Sequence, residues 1–176
     1  MRNNARDLKR LVLYAMLGAL MLIGKLLFEP LPNVHPLAAL VMIYTLVWRS
    51  RALIPIYLYV FLQGIIAGFD LWWVPYIYVW TVLWGITMLL PKKMSVSVKV
   101  IVYPLVCAFH GMIFGTLFAP VQAIMFNLDF DMMIKWIVAG LPFDMMHAVG
   151  NFAAGFLILP ISRVLVKLDF ERRRTI

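Results

Sequence analysis

The segment AGLPFDMMHAVGNF, residues 139–152, brings three chemically capable side chains into a strongly apolar part of the chain. They are Asp144, His147 and Asn151, which offer a carboxylate, an imidazole and an amide. A helix begun near Pro142 carries all three on one face, because steps of three and four residues return to the same side of a helix. Such a stripe can bind a small molecule. Alternatively, it can join helices as a buried network, with Asp144 in a first turn that favours anions.

The composition predicts that this stripe lies in an integral membrane protein. Of 176 residues, 64% are hydrophobic and 14% are charged, far from the balance of a soluble domain. A carboxylate within hydrocarbon costs about 2.5 to 3.5 kcal/mol on insertion scales, so Asp144 is expected to face protein or a wet cavity. The single cysteine, Cys107, excludes an intramolecular disulfide and offers no thiolate metal cluster.

Hydrophobic runs predict an all-α protein, with one membrane domain over residues 1–176 and six transmembrane helices. A span needs about 20 mostly apolar residues, or fewer where polar or aromatic groups anchor its ends. The predicted spans lie near 10–28, 36–48, 52–69, 72–90, 99–119 and 142–162. The stretch 120–141 is interpreted as an outer loop with an interfacial helix, and a seventh span is the competing count.

The basic residues predict the orientation, since Lys and Arg in short loops stay on the cytoplasmic side. Of the sixteen basic residues, all except Lys25 and Lys135 precede the first span or follow the second, fourth and sixth. Six spans with both termini in the cytoplasm satisfy every loop, whereas a seventh would place the basic tail outside. The net charge of +8 therefore indicates topology and contact with anionic lipid, with no pattern for nucleic acid.

Further candidates for a ligand pocket lie at the predicted outer ends of the helices, because pockets combine aromatic walls with a few convergent polar groups. Besides the stripe, they are Asn33, His35, Asp70, Trp73, Tyr76, Trp80, Asn127 and Lys135. Trp73 also fits an interfacial belt, and Tyr76 and Trp80 also fit core packing. Lys135 can instead extend to water, or neutralise an acidic ligand or Asp144.

These residue types favour a planar heteroaromatic ligand. Aromatic side chains can cover ring faces, while Asn and Asp can pair with donors and acceptors at a ring edge. A cationic ligand would use the acids and the tryptophans, and a ligand that bears a carboxylate would use Lys135. Both remain open.

Small residues on the first helix predict a close contact with another helix. In YAMLGALML, Ala15, Gly18 and Ala19 lie on one face, and small residues let helix backbones approach closely in lipid. The contact can lie within this protein's own bundle or can join a partner.

Taken together, these features resemble the S component, the substrate-binding membrane subunit of energy-coupling factor (ECF) vitamin transporters. The resemblance rests on the small residues of helix one and the loop PLPNVHP. It rests further on the aromatic segment LWWVPYIYVW, and on GLPFDMMHAVGNF followed by LPISRVLVKL. It implies a six-helix bundle in the plasma membrane of a prokaryote that captures a vitamin-like substrate at its outer face.

The same resemblance implies partners and no cofactor of the chain's own. Ala15, Gly18 and Ala19 would dock on a transmembrane coupling subunit, which two cytoplasmic ATPases drive. ATP would be used by those partners, and the chain contains neither GxxxxGK[ST] nor GxGxxG.

Three other classes compete with an ECF-type subunit. A self-sufficient carrier would transport without ATPases, and a purely structural subunit would bind no small molecule. A membrane enzyme is disfavoured because His35, His110 and His147 show no metal-binding spacing and the serines lie at predicted cytoplasmic positions. The sequence therefore predicts a non-enzymatic transport subunit without a metal site.

Overall fold

All regular structure described for this chain is helical. The computed structural model describes residues 2–31 and 33–174, with side chains for 7–31 and 33–169. Pro32 of the loop PLPNVHP and several terminal basic side chains used for the orientation argument lie outside those ranges. The helices are α1 (Arg2–Leu27), α2 (Leu37–Trp48), α3 (Leu53–Ala67), α4 (Tyr76–Leu89), α5 (Val96–Met112), α6 (Phe114–Met125), α7 (Phe130–Gly155) and α8 (Ile158–Arg174). Short 3-10 helices cover Arg49–Ala52 and Leu71–Trp73.

Four stretches of the described chain are long and apolar enough to cross a membrane. They are Asp7–Leu27, Leu37–Ala67, Val96–Met125 and Phe130–Gly155. The prediction of an all-helical membrane protein is confirmed in this coarser form. The helix α4 has 14 residues, fewer than the roughly 20 that a perpendicular span needs, so six spans stay a prediction.

Arg49 divides the longest of these stretches into two helices. Its φ of 55° and ψ of −122° interrupt the helical path between α2 and α3. Its guanidinium donates a hydrogen bond to the carbonyl oxygen of Met88, and Trp84 Nε1 donates to the Arg49 carbonyl oxygen. The turn after α2 is therefore fastened to the carboxyl-terminal half of α4.

The helix that carries the polar stripe begins earlier than predicted. α7 starts at Phe130, where Asp129 accepts a hydrogen bond from the backbone N–H of Met132 at 2.8 Å, and it continues through Pro142 to Gly155. The prediction of a helix start near Pro142, with Asp144 in the first turn, is wrong. Asp129 is a favourable N-cap, and an internal proline is tolerated in membrane helices where neighbouring groups satisfy the freed carbonyl.

The same boundary corrects the interpretation of residues 120–141 as a loop with a separate interfacial helix. α6 extends to Met125 and α7 begins at Phe130, so only residues 126–129 connect the two helices. The helical part of 130–141 is continuous with the stripe. The predicted span 142–162 is likewise divided, since α7 ends at Gly155 and α8 begins at Ile158.

The short helix α2 lies at the centre of the bundle. Its buried residues run along its whole circumference, from Leu37 to Thr45, with only Leu40 half-buried. A helix that is apolar all round is expected to be enclosed by others, and α2 contacts α1, α4, α5, α7 and α8. Its amino-terminal end directly follows the 28–36 loop, so the buried helix α2 anchors that loop.

Glycines allow α5 and α7 to pack very closely. A Cβ at Gly111 would lie 2.8 Å from the backbone nitrogen of Ala148, and one at Gly155 would lie 2.4 Å from Cα of Pro104. Backbone atoms cannot move aside as a flexible side chain can, so a larger residue at either position would force the helices apart. This contact fixes the polar face of α7 against α5 and α6.

Candidate functional site

The polar stripe on α7 is buried as a unit. Asp144, His147 and Asn151 are 4%, 5% and 2% exposed, whereas Met145 and Met146 between them are exposed. The prediction that the three share one inward helical face is confirmed. They point toward α5, α6 and the loop between α1 and α2.

Asp144 caps a helix other than its own. Its Oδ1 accepts a hydrogen bond from the backbone N–H of Gly115 at 2.9 Å, at the start of α6. The first turn of a helix has unpaired N–H groups and a positive dipole end, so a carboxylate stabilises it. A Cβ at position 115 would lie 2.6 Å from Oδ2 of Asp144, so glycine makes room for this contact. Oδ2 itself is buried, without a partner among the described residues.

His147 joins the stripe to the loop between α1 and α2. Its Nε2 lies 3.0 Å from Nε2 of His35, with the ring centroids 4.7 Å apart. One nitrogen must donate and the other accept, so the pair has a single shared proton between opposite tautomers. Burial, followed by the neighbouring His147 and Lys25, lowers the pKa of His35 to about 3. His35 is therefore neutral at pH 7.

An aromatic layer lies beneath this pair. Trp80 on α4 is 1% exposed, and its ring contacts those of His35, Tyr76 and His110 at centroid distances of 6.4, 6.4 and 5.6 Å. Phe114 lies between Trp80 and His147, 5.9 and 4.6 Å from their centroids. Trp80 thus links α4 and α5 to the histidine pair and forms the base of the region.

A cavity of about 210 Å³ opens above these rings. It is lined by Lys25, Phe28, Glu29, Leu31, Asn33, His35, Tyr76, Phe114 and His147. Its walls therefore offer aromatic faces, imidazole and amide groups, and one charge of each sign. Such a lining suits a small molecule with a ring and a polar edge.

Several buried polar atoms of the stripe, the aromatic layer and the cavity-lining His35 lack hydrogen-bond partners in the described part of the chain. They are His35 Nδ1, Asp144 Oδ2, Asn151 Oδ1, His110 Nδ1 and Trp80 Nε1. Buried polar groups are nearly always paired in folded proteins, because an unpaired one costs about 1 to 3 kcal/mol. This region is therefore suited to receive a ligand or ordered water.

The structure brings together some of the predicted site residues and separates others. Asn33, His35, Tyr76 and His147 line the cavity, and Trp80 supports it. Asp144 and Asn151 lie on the same face of α7 at its contacts with α6 and α5.

Besides Trp80, Asp144 and Asn151, four other predicted site residues do not line the cavity. Asp70 is exposed and accepts from the backbone N–H of Leu71, and Trp73 donates from Nε1 to the carbonyl oxygen of Val60 at 2.8 Å. Asn127 and Lys135 are exposed at and after the α6–α7 turn. A predicted position at the outer ends of the helices was not sufficient to distinguish these four residues from those that line the cavity.

The predicted docking residues of α1 also differ from one another. Ala15 is exposed, Ala19 is half-buried, and Gly18 is buried with its Cα against Leu58 of α3. Gly18 therefore serves packing within the bundle, which was the alternative for this motif. Ala15 lies on a surface that the described part of the chain leaves uncovered.

Sequence reasoning gave little weight to three residues of the cavity. Lys25 lies in the last turn of α1 and Glu29 lies two residues beyond its end, and their spacing of four residues was the available signal. Phe114 stacks on Phe118 with centroids 4.8 Å apart, and that spacing of four residues was the available signal. Among the described residues, no three His, Cys, Asp or Glu side chains are grouped to hold a metal ion.

These features stand without support from related proteins. No protein-family model, curated protein or solved structure matches this chain.

Proposed function

We propose that this protein is the substrate-binding S component of an ECF-type importer and that its outer cavity binds a compact, vitamin-like heteroaromatic molecule. One observation carries the proposal. The cavity combines rings, imidazoles and an amide with charges of both signs, beside buried polar atoms that are unpaired within the described chain. A ligand with donors and acceptors at its edge would satisfy such atoms.

The dimensions and lining favour a particular kind of ligand. At about 210 Å³, the cavity is smaller than the roughly 300 to 1,000 Å³ of typical ligand pockets, which favours a molecule of one or two rings. Phe114 and Tyr76 provide ring faces, while Asn33 and His147 provide hydrogen bonds. Lys25, rather than the exposed Lys135, is positioned to pair with an acidic group of the ligand.

The arrangement of the helices supports placing this cavity at the outer face of a six-span bundle. α2 and α4 both begin beside the cavity, at His35 and Tyr76, and both end at the basic turns near Arg49 and Lys92. Basic turns stay in the cytoplasm, so the cavity end faces outward. In this proposal α5 with α6 forms the fifth span, α7 the sixth, and α8 carries the tail into the cytoplasm.

The chain requires a source of energy to deliver its ligand, and the proposal assigns this to partner subunits. On α1, Ala15 lies beside Met16 and near Val12, which are both exposed. A small residue within an apolar helical face permits close approach of another helix in the membrane. We therefore assign docking on a coupling subunit to the surface around Ala15 and Ala19, without Gly18.

Native mass spectrometry of the full chain, purified in detergent from vitamin-replete prokaryotic cells, tests the ligand. We expect one heteroaromatic metabolite per protein, identified after release by denaturation. Asn33→Gly removes a lining amide at φ 57°, and Asn127→Gly makes the same change at φ 48° outside the cavity. Glycine tolerates both conformations. Loss of a ligand hydrogen bond should lower occupancy up to about tenfold in Asn33→Gly only.

Three results would contradict the proposal. A folded wild-type protein that carries no small molecule would reassign the unpaired atoms to water and packing. Equal occupancy in Asn33→Gly and Asn127→Gly would place the ligand elsewhere. Uptake into proteoliposomes that contain this chain alone would identify a self-sufficient carrier instead of an S component.

A further inference from the structure

A second cavity lies at the opposite end of the bundle, and its lining differs from that of the first. It has a volume of about 420 Å³ and lies where the carboxyl ends of α2 and α4 meet the start of α5 and the side of α8. Four of its lining residues are cations: Arg49, Lys92, Lys99 and Arg163. In the described part of the chain, no acidic residue lines it.

Cations drawn from four separate segments surround one space. Arg49 follows α2, Lys92 follows α4, Lys99 lies in the first turn of α5 and Arg163 lies on α8. Like charges gathered around a cavity repel one another unless an anion lies between them. The arrangement therefore favours a ligand with negative charge, held by donors that approach from several sides.

The rest of the lining is apolar, which indicates the form of the anion. Leu46, Leu90, Leu159 and Val166 share the cavity walls with the cations. Beyond the cavity, α8 presents exposed Val164 and Leu168. A freely soluble anion gains nothing from aliphatic walls, whereas a lipid places its headgroup among cations and its chains along apolar helices.

We propose that this cavity binds the phosphate headgroup of an anionic phospholipid from the cytoplasmic leaflet. The acyl chains lie against the aliphatic walls and the membrane-facing surface of the helices. Arg49 bonds the carbonyl oxygen of Met88 through Nη2, so it holds the cavity's shape as well as contributing charge. Lys92, Lys99 and Arg163 provide the adaptable contacts to phosphate oxygens.

The test uses the full chain in neutral detergent, with two double variants of equal charge. Lys92→Gln with Arg163→Gln removes two lining cations, and Lys93→Gln with Lys167→Gln removes two cations that do not line the cavity. All four side chains are exposed, so neither change disturbs the core. The probes are phosphatidylglycerol, phosphatidylcholine and inorganic phosphate, and native mass spectrometry measures retained lipid.

We expect the wild type and the Lys93/Lys167 variant to retain phosphatidylglycerol in preference to phosphatidylcholine. The Lys92/Arg163 variant should bind phosphatidylglycerol roughly thirtyfold more weakly, since each basic residue near an anionic lipid contributes a factor of about five. The charge-preserving pair Lys92→Arg with Arg163→Lys should restore retention.

Other outcomes would overturn the lipid proposal. Equal weakening in both double variants would indicate diffuse surface charge rather than a site. Displacement of the lipid by millimolar inorganic phosphate would identify a soluble anion as the ligand. Equal retention of phosphatidylglycerol and phosphatidylcholine would indicate that the cations bind an acidic segment of a partner protein instead of a lipid. None of these outcomes depends on whether the outer cavity binds a vitamin.

Discussion

The two ends of this helical bundle use the same helices to build opposite chemical environments. α2 and α4 extend from the outer cavity to the basic cavity, yet the first is rich in aromatic and imidazole groups and the second in aliphatic and cationic groups. Histidine and asparagine can donate and accept hydrogen bonds without net charge, whereas lysine and arginine only donate and stay charged. The outer end is suited to discriminate a neutral ring edge, and the inner end to attract charge.

The difference also concerns how each end is held together. At the outer end, Asp144 and His147 reach across helices to a helix start and to a loop, and buried polar atoms remain unpaired in the described chain. At the inner end, Arg49 and Trp84 satisfy backbone carbonyl groups directly. The outer end therefore leaves some polar atoms without internal hydrogen bonds in a region that has space for a ligand. The inner turn is stabilised by hydrogen bonds from its own side chains.

The largest expected effect comes from the tryptophan under the outer cavity. Trp80→Ala should lower the free energy of unfolding by about 3 to 5 kcal/mol, because it deletes a fully buried ring that contacts five other rings. Trp84→Ala, one turn nearer the inner end, removes a half-buried ring and should cost less. Thermal unfolding of both variants in the same detergent measures the difference.

The phenylalanine variants are the control, and among them we expect Trp84→Phe to lose more stability than Trp80→Phe. Trp80 Nε1 is unpaired among the described residues, so Trp80→Phe loses ring area alone. Trp84→Phe additionally loses the hydrogen bond to the Arg49 carbonyl oxygen, worth about 0.5 to 1.5 kcal/mol. A larger loss for Trp84→Ala than for Trp80→Ala would contradict the placement of the structural centre beneath the outer cavity.

A change of pH should weaken the outer end and spare the inner end. His35 has a folded-state pKa near 3 and an unfolded value near 6.5, so the unfolded chain binds more protons below pH 6.5. Stability is therefore fully present above that pH and is lost as pH falls toward 3. At pH 5 the loss from His35 amounts to about 2 kcal/mol.

Unfolding measured from pH 8 to pH 5 checks this sign. The wild type should lose stability below pH 6.5, and His35→Gln should show a flatter profile because it removes the group that resists protonation. Lys25 lies close enough to His35 to oppose its charge, so Lys25→Gln should raise the folded-state pKa of His35 and make the total loss of stability at low pH smaller. An unchanged profile in His35→Gln would exclude the histidine pair as the acid-sensitive element.

The sequence predicted elements better than it predicted their ends. The periodic placement of Asp144, His147 and Asn151 was sufficient to place them on one buried face. The predicted helix start at Pro142 is wrong, because Asp129 caps the helix and Asp131 lies in its first turn, about twelve residues before the proline. The capping residue Asp129 therefore determines where α7 starts, a boundary that hydropathy alone does not predict.

The cavity itself was only partly predictable. The predicted depth in the membrane selected Asn33, His35 and Tyr76, which line the cavity, but it also selected Asp70 and Lys135, which the fold leaves exposed. Whether these residues converge depends on how α1, α4 and α7 pack about α2, and local sequence patterns do not specify that packing. The contact between His35 and His147, 112 residues apart, is of this kind.

The smallest effect is expected at the turn that closes the inner end. Arg49→Gln should lower the free energy of unfolding by about 0.5 to 1.5 kcal/mol, because it removes the guanidinium bond to the Met88 carbonyl oxygen at 3.1 Å. Lys93→Gln, a nearby cation outside the cavity lining, should stay within about 0.5 kcal/mol of the wild type. Chemical denaturation in detergent resolves the two.

Arg49→Gly distinguishes the contribution of the Arg49 side chain to stability from that of the backbone conformation at this turn. Arginine at φ 55° occupies a conformation that glycine adopts at little cost, so glycine should recover part of the stability that Arg49→Gln loses. If Arg49→Gly is instead the less stable of the two, the hydrogen bond that Trp84 Nε1 donates to the Arg49 carbonyl oxygen depends on the stiffness of arginine at this turn. In that case the inner end, like the outer, is positioned by backbone geometry as much as by side-chain charge.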